Sequence, residues 1–174
     1  MRGYRKRPGT QGFSVPLVGA SLFFIISLFL FASYKNSAYQ QAKKEIYSLY
    51  TANRAFDLDE VYQDGLTAIY AKEYGKTATE AGCEALEQTG LPYVLLLSQF
   101  SAPVERVYVT NCQLSETGRE QTARTYEYTV SVRFCLEKGD EVLAPEKTMD
   151  FHGTVVMKKK GWFRWLLDGV TLGE

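Results

Sequence analysis

The sequence has little of the material from which catalytic and metal sites are made. It contains one histidine, His152, and three widely spaced cysteines among 174 residues. There is no C-x-x-C pair and no cysteine–histidine cluster, which argues against a zinc site. Neither a G-x-S-x-G turn nor a glycine-rich phosphate loop occurs. The sequence therefore predicts no catalytic residue, no cofactor, no metal and no small-molecule substrate, as in a protein that is not an enzyme.

A surplus of charge is also lacking, because 20 lysines and arginines balance 20 aspartates and glutamates. Four of the basic residues lie in the first seven positions, where there is no acid. The remainder thus carries 16 basic against 20 acidic groups, a net charge of −4. A mildly acidic remainder argues against nucleic acid as a partner.

The polar residues that could suggest a site have simpler explanations. His152 falls on the polar phase of a predicted strand, so we expect a solvated side chain. Asp57 and Asp59 are suited to capping a helix. Lys158 to Lys160 are predicted to form the charged tip of a hairpin, and contact with anionic lipid headgroups is the alternative.

What the sequence does have is a long apolar run. Residues 8–34 contain no charged side chain. As a helix, its 18-residue centre from Val15 to Ala32 would rise about 27 Å, close to the ~30 Å hydrocarbon core of a bilayer. We predict a basic cytoplasmic leader over residues 1–12 and a transmembrane helix over 13–34.

A cleaved signal peptide is the alternative for this run. Cleavage after Ala32 would place Leu30 where a small residue is needed, and cleavage after Ala38 would place Asn36 there. We therefore expect a single-pass protein of the cell membrane, with its N-terminus in the cytoplasm and its C-terminal domain outside.

An amphipathic helix is predicted to continue from the anchor over residues 35–56. Its apolar stripe has helical spacing: Tyr39, Ala42, Ile46, Leu49, Asn53 and Phe56. Two interpretations stay open for this stalk: it packs on its own domain, or it packs against neighbouring copies.

The domain over 57–174 begins with helical patterns. One runs from the caps at Asp57 and Asp59 to Gly75. Another opens at Thr77-Ala-Thr-Glu80, which has the form of a capping box, and stops near Gly90. Residues 91–100 are apolar and fit either a buried strand or a short helix.

From residue 103 onward the apolar period becomes two, which is typical of strands. Strands are predicted over 104–114, over 125–136, around Phe151 to Met157, and over 162–172, with turns at Ser115–Gly118, at 138–140 and at 158–161. Short connections favour an antiparallel meander. Helices followed by a meander predict an α+β domain with short helices packed on a four-stranded sheet.

The three cysteines, Cys83, Cys112 and Cys135, leave two possibilities. Outside the cell one disulfide could form in any of three pairings, with one thiol left over. Alternatively all three are small buried hydrophobic residues.

The N-terminal half resembles type IV pilin-like proteins and Tad-type minor pilins. The likeness rests on the basic leader, on Gly12-Phe13-Ser14 before the long apolar helix, and on Asp59-Glu-Val-Tyr62 with Gly65 after it. It implies leader cleavage between Gly12 and Phe13. Leu17 stands where most pilins have a glutamate, which implies a minor or degenerate member.

The C-terminal half, about residues 57–174, is similar to the nuclear transport factor 2-like cone. The likeness rests on helices followed by a meander that ends Gly161-Trp-Phe-Arg-Trp-Leu-Leu-Asp-Gly-Val170. Membrane-anchored versions of that fold serve as assembly factors in conjugation and type IV secretion.

We therefore expect a non-enzymatic, minor pilin-like component of a bacterial cell-surface pilus or transfer apparatus. The alternative is an assembly scaffold for conjugation or type IV secretion. The expected partners are the lipid bilayer, further copies and other pilus or secretion subunits. Small residues favour helix packing in lipid, and the candidates are Gly19, Ala20, Ser21 and Ser27.

Overall fold

The computed structural model describes residues 15–35, 37–51, 65–91, 104–136, 146–161 and 164–173. The chain divides into two compact units, residues 1–34 and residues 35–174. Among the described residues there are four helices and one four-stranded antiparallel sheet. The predicted α+β class and the meander are therefore confirmed.

Helix α1 (Val15–Lys35) is apolar on every side. Its large side chains are 48% to 74% exposed: Leu22, Phe23, Phe24, Ile25, Ile26, Leu28, Phe29, Leu30, Phe31 and Tyr34. Successive helical residues are about 100° apart, so this nearly unbroken run surrounds the helix and leaves no polar face.

The predicted membrane span is not confirmed by length and apolarity. Within the described residues no single helix meets the requirement for a span; Gly19–Tyr34 and Ala38–Thr51 meet it only when taken together. The amphipathic helix is also a separate element, α2 (Ala38–Thr51), and not a continuation of α1. Ser37 caps it, since the backbone N–H of Gln40 donates to the Ser37 hydroxyl at 3.3 Å.

The sheet contains β1 (Val104–Arg119), β2 (Ala123–Leu136), β3 (Glu146–Lys160) and β4 (Arg164–Leu172) in that order. The turn predicted at Ser115–Gly118 is wrong, because β1 continues through it and pairs as far as Arg119 with Arg124. A register shift lies between Glu116 and Gly118. The glycine there marks a bulge in a long strand instead of its end.

Helix α2 covers one face of this sheet. Its buried residues are Ala38, Ala42, Glu45, Ile46, Leu49 and Tyr50. Ala42, Ile46 and Leu49 confirm part of the predicted stripe, but Tyr39 is exposed; residues 53 and 56 lie outside the described ranges. Positions 38, 45 and 50 are also buried, so the buried face is rotated around the helix relative to the predicted stripe. Packing on its own domain is therefore the interpretation that the structure shows.

The two short helices are α3 (Leu66–Tyr74) and α4 (Glu80–Thr89). Gly75 ends α3 and Gly90, with φ 70°, ends α4 in the left-handed conformation, as predicted. The N-cap predicted at Thr77 is wrong. Thr79 caps α4 instead, accepting from the Gly82 N–H at 3.1 Å. Residues 57–64 and 92–100, where further predictions fell, lie outside the described ranges.

The core lies between α2 and the inner face of the sheet. Strand β2 alternates as predicted, with its inward residues buried: Tyr126, Tyr128, Val130, Val132 and Phe134. Val155 and Met157 of β3 and Leu167 and Val170 of β4 extend the same cluster. This single apolar layer joins all four strands to the helix.

Helix α4 approaches β4 at backbone distance. The Thr79 N–H donates to the Leu167 carbonyl at 2.8 Å, and the Leu167 N–H donates to the Thr77 carbonyl at 2.9 Å. The Thr79 hydroxyl donates to Asp168 Oδ1 at 2.6 Å. A Cβ at Gly82 would overlap the Leu167 carbonyl group. The start of the helix therefore fits only because residue 82 has no side chain.

We predict that Gly82→Ala destabilises the domain by at least about 2 kcal/mol, because a fixed backbone carbonyl cannot give way to the added methyl group. The matched control is Gly169→Ala on β4, whose Cβ would lie 3.6 Å from Val156. Urea unfolding followed by tryptophan fluorescence measures both. Equal stability of the two variants would contradict the close approach.

Candidate functional site

The interior of the sheet holds a buried pair of tyrosines. Tyr50 of α2 and Tyr128 of β2 have their hydroxyl oxygens 3.0 Å apart. Their rings meet edge to face with centroids 6.0 Å apart, and Phe151 packs on Tyr50 at 5.3 Å. The space between α2 and the sheet is thus occupied by aromatic rings at this point.

The direction of the hydrogen bonds follows from the strand beyond. The Tyr128 hydroxyl donates to the Thr171 carbonyl of β4 at 3.1 Å. A phenol has one proton to donate. Tyr50 must therefore be the donor to Tyr128. Tyr128 lies directly over Gly153, where a Cβ would overlap both the Tyr128 ring and the Thr171 carbonyl. This glycine is what allows the ring to reach across β3.

Burial raises the pKa of Tyr50 far above its usual range, and the neighbouring Tyr128 adds to the shift. Burial is also the main cause that raises the pKa of Tyr128. Both phenols therefore stay protonated at physiological pH, and neither is available as a general base. Deprotonation above pH 10 opposes folding, because the unfolded chain gives up these protons first.

Glu45 is an acidic residue on the buried face of α2, with 8% of its surface exposed. Burial raises the pKa of its carboxyl group, while the Lys44 cation and a hydrogen bond with the Thr77 side chain partly offset the shift. A buried carboxyl group that is hydrogen-bonded to a neighbouring hydroxyl is typical of a residue with a structural role.

One end of the sheet, where β1 leads into β2 and β3 leads into β4, is basic. We define this basic end as the part of the sheet from the row Glu116–Tyr126–Val155–Val170 to these two turns. Its cations are Arg119, Arg124, Lys158, Lys159, Lys160 and Arg164. The Lys159 N–H donates to the Thr122 carbonyl at 2.7 Å and so joins the last residues of β3 to the turn between β1 and β2. An open concavity of about 510 Å³ lies there, lined by Gln121, Thr122, Lys159 and Gly161.

The residues predicted to matter for the anchor fall on α1 or before it. Gly12 and Phe13, the predicted cleavage site, lie outside the described residues. Gly19, Ala20 and Ser21 are exposed on α1, and Ser27 is half-buried. A Cβ at Gly19 would meet nothing within 4 Å. This surface has room for a neighbouring helix.

All three cysteines are free thiols in the structure. Cys112 faces inward opposite Val130, whereas Cys135 lies five positions further along β2 and has the outward phase. Five positions correspond to about 17 Å, which no disulfide spans. Burial raises the pKa of the Cys83 and Cys112 thiols, so neither is a reactive thiolate.

His152 is exposed on the outer face, as its phase predicted, and its Nδ1 lies 3.2 Å from the Thr129 hydroxyl. No group of three potential metal ligands occurs among the described residues. Within these ranges the polar residues are therefore distributed around the sheet and do not converge on one point.

Sequence reasoning missed the tyrosine pair and Glu45. The signal was present in part, because positions 38, 42, 45, 46 and 49 follow helical spacing. The glutamate at position 45 interrupts the apolar pattern, so this face of the helix was not predicted to be buried. The contact between Tyr50 and Tyr128 joins residues 78 positions apart, and no local pattern reports such a contact.

Comparisons with known proteins add little to this geometry. No protein-family model matches the sequence, and no curated protein matches it significantly. A solved structure, "Ntf2 like protein involved in plasmid conjugation", aligns over 79% of this chain and 50% of its own, with 11% identity and a TM-score of 0.39. The chain thus spans half the length of that protein. Its name mentions the fold that the second half of the sequence resembles, and at this TM-score the likeness carries no argument.

We predict that Tyr128→Phe destabilises the domain more than Tyr50→Phe. Without the Tyr128 hydroxyl, Tyr50 loses its acceptor and the Thr171 carbonyl loses a donor, at a cost of about 1–3 kcal/mol. Without the Tyr50 hydroxyl, Tyr128 still donates to Thr171, and the cost is about 0.5–1.5 kcal/mol. Urea unfolding of both variants and the double variant measures this. The reverse order would contradict the assigned direction.

We predict that Glu45→Gln stabilises the domain at pH 7. Because the folded pKa is above the unfolded value of 4.5, the stability that the neutral acid contributes is present below pH 4.5. It is lost as pH rises through the folded pKa. The neutral amide avoids that loss. Melting temperatures at pH 4, 5.5 and 7 check this, with exposed Glu84→Gln as the control. An E45Q variant no more stable than the parent at pH 7 would refute it.

Proposed function

We propose that this chain is a non-enzymatic, single-pass membrane-anchored structural component of a bacterial transfer apparatus. Helix α1 is its anchor, and residues 35–174 form a folded module on the extracytoplasmic side. The module holds the chain's place in an assembly through surface contacts, and performs no chemistry of its own.

The observation that carries the anchor is the surface of α1. Ten large apolar side chains are exposed between residues 22 and 34, on every side of the helix. A helix that is apolar all round is stable when buried, either in a large core or in a membrane. Residues 35–174 already form a compact unit with a core of their own. A lipid bilayer is therefore the environment that suits α1.

The polar groups of the module support a structural role. Its interior is occupied by Tyr50, Tyr128 and Phe151, and raised pKa values keep both phenols protonated. His152, the one histidine of the chain, lies on the opposite, outer face. The Thr129 hydroxyl beside His152 is exposed to solvent, and the Thr79 hydroxyl beside Asp168 caps a helix, so neither pair has the setting of a catalytic nucleophile and base.

Two kinds of apparatus are candidates, and the start of α2 favours one. In a pilin-like subunit the apolar helix would continue into the amphipathic one, and both would pack against neighbouring copies. Here α2 has its own cap at Ser37 and buries its apolar face on its own sheet. We therefore favour a scaffold for conjugation or secretion over a minor pilin. Plasmid conjugation, which the aligned protein's name mentions, is one such process.

The small residues Gly19, Ala20, Ser21 and Ser27 are proposed as the packing surface of the anchor. Mass spectrometry of the mature N-terminus separates the two kinds of apparatus. An intact leader supports the scaffold, whereas a chain that begins at Phe13 shows pilin-type processing and overturns the preference.

We predict that two arginines in α1 abolish membrane association. Each arginine near the centre of a span costs about 2.5–3.5 kcal/mol on the insertion scale. The double variant Phe24→Arg, Leu28→Arg should no longer be found in the floating membrane fraction of a sucrose gradient. Phe24→Leu with Leu28→Phe, which keeps the apolar surface, should remain in it. A parent chain that fails to float, or an arginine variant that still floats after carbonate treatment, would refute the anchor.

A further inference from the structure

The direction of α2 shows from which end of the module the chain leads to α1. Near the start of α2, the ring of Tyr39 lies 6.0 Å from that of Tyr126, and near its end, the ring of Tyr50 lies 5.3 Å from that of Phe151. On the sheet, Phe151 pairs with Val130, four positions further from the turns than Tyr126. The N-terminus of α2 therefore points toward the basic end.

The connection from α1 to α2 is short. Only residues 36 and 37 separate α1 from α2. Three peptide steps, from Lys35 to Ala38, span at most about 11 Å. Lys158 lies three residues beyond Val155 toward the turns, a further ~10 Å along the sheet. The basic end is thus the end at which the chain from α1 enters the module.

Charge is distributed unevenly within the module. Residues 35–174 carry 16 basic and 20 acidic groups, a net charge of −4. The basic end has six cations against three carboxylates, Glu116, Glu120 and Asp168, a net charge of +3. The rest of the module therefore carries −7. An anionic surface would attract this end and repel the remainder.

Several of these cations are available to a partner. Glu116 pairs with Arg119 at 2.6 Å and Asp168 with Lys158 at 3.6 Å. Lys159 and Lys160 are exposed and form no ion pair with a described residue. Lys159 also lines the 510 Å³ concavity with Gln121 and Thr122, whose side chains can donate to a phosphate oxygen. Trp165, which lies beneath the Arg124 guanidinium at 5.5 Å, is an aromatic residue suited to the interface.

We infer that the basic end docks on anionic phospholipid headgroups of the membrane that holds α1, and so fixes the orientation of the module against the bilayer. This rests on the proposed anchor. Lipid is favoured over nucleic acid because the patch is small and the rest of the module is acidic. It is favoured over an acidic protein because the chain from the proposed anchor enters the module at this end.

The chain carries its own probe for this contact. Of its two tryptophans, Trp165 lies at the start of β4, in the basic end. In a Trp162→Phe background, tryptophan fluorescence therefore reports on this end alone. The full chain is reconstituted in nanodiscs of phosphatidylcholine, or of phosphatidylcholine and phosphatidylglycerol at about 7:3. Quenching by brominated lipid then measures the docked fraction.

We expect strong quenching in the anionic discs, weak quenching in the neutral ones, and loss of the difference at high salt. Lys159→Gln with Lys160→Gln should weaken docking about fivefold for each lysine, or about 25-fold for the pair. The matched control is Arg133→Gln with Lys147→Gln, which removes the same charge at the other end of the sheet. This control should quench like the parent.

Three results would overturn docking on lipid. The first is equal quenching in neutral and anionic discs, and the second is an equal loss in the control variant. The third is a change in fluorescence caused by an oligonucleotide or polyglutamate in neutral discs, without any response to phosphatidylglycerol. Failure of the chain to enter discs at all would instead refute the anchor. Insertion without charge-dependent quenching refutes docking alone.

Discussion

The module depends on the burial of one helix face against one sheet face. Ala42, Ile46 and Leu49 of α2 meet the inward residues of the strands, and each of these helix residues is at most 1% exposed. The same cluster takes in buried residues from all four strands. Hydrophobic burial is the dominant favourable term in folding, so the module depends first on this contact.

Around that layer, the elements approach each other most closely at two glycines, where backbone contacts backbone or an aromatic ring contacts backbone. Gly82 lets α4 touch β4, and Gly153 lets Tyr128 reach Thr171 across β3. The polar groups that these approaches bury are paired. Thr79 donates to Asp168, and Tyr50 donates to Tyr128. Among the described residues these contacts join both the short helix α4 and the long helix α2 to the sheet.

The two units expose opposite kinds of surface. Helix α1 exposes apolar side chains on every side, whereas the module places its apolar residues inside and its charges outside. The charges of the module are unevenly distributed, positive near the turns and negative elsewhere. This distribution is related to the position at which α1 joins the module. The basic end is the end at which the chain passes from α1 into α2.

The sequence alone determined the elements that depend on local periodicity. The period of two in β2, the helical spacing in α2 and the uncharged run of residues 8–34 predicted strand, helix and apolar segment, because each pattern is written in neighbouring residues. Boundaries set by pairing were missed. β1 runs through Gly118 because a distant strand pairs with it, and the cap of α4 is Thr79 because β4 holds its backbone.

Only the tertiary structure decided which face of α2 is buried, that Tyr50 meets Tyr128, and that Glu45 lies on the buried face of the helix. It also decided that six scattered cations share one end of the sheet with the start of α2. These are relations between residues far apart in the chain. Residue type and spacing carry no information about them until the sheet brings the strands together.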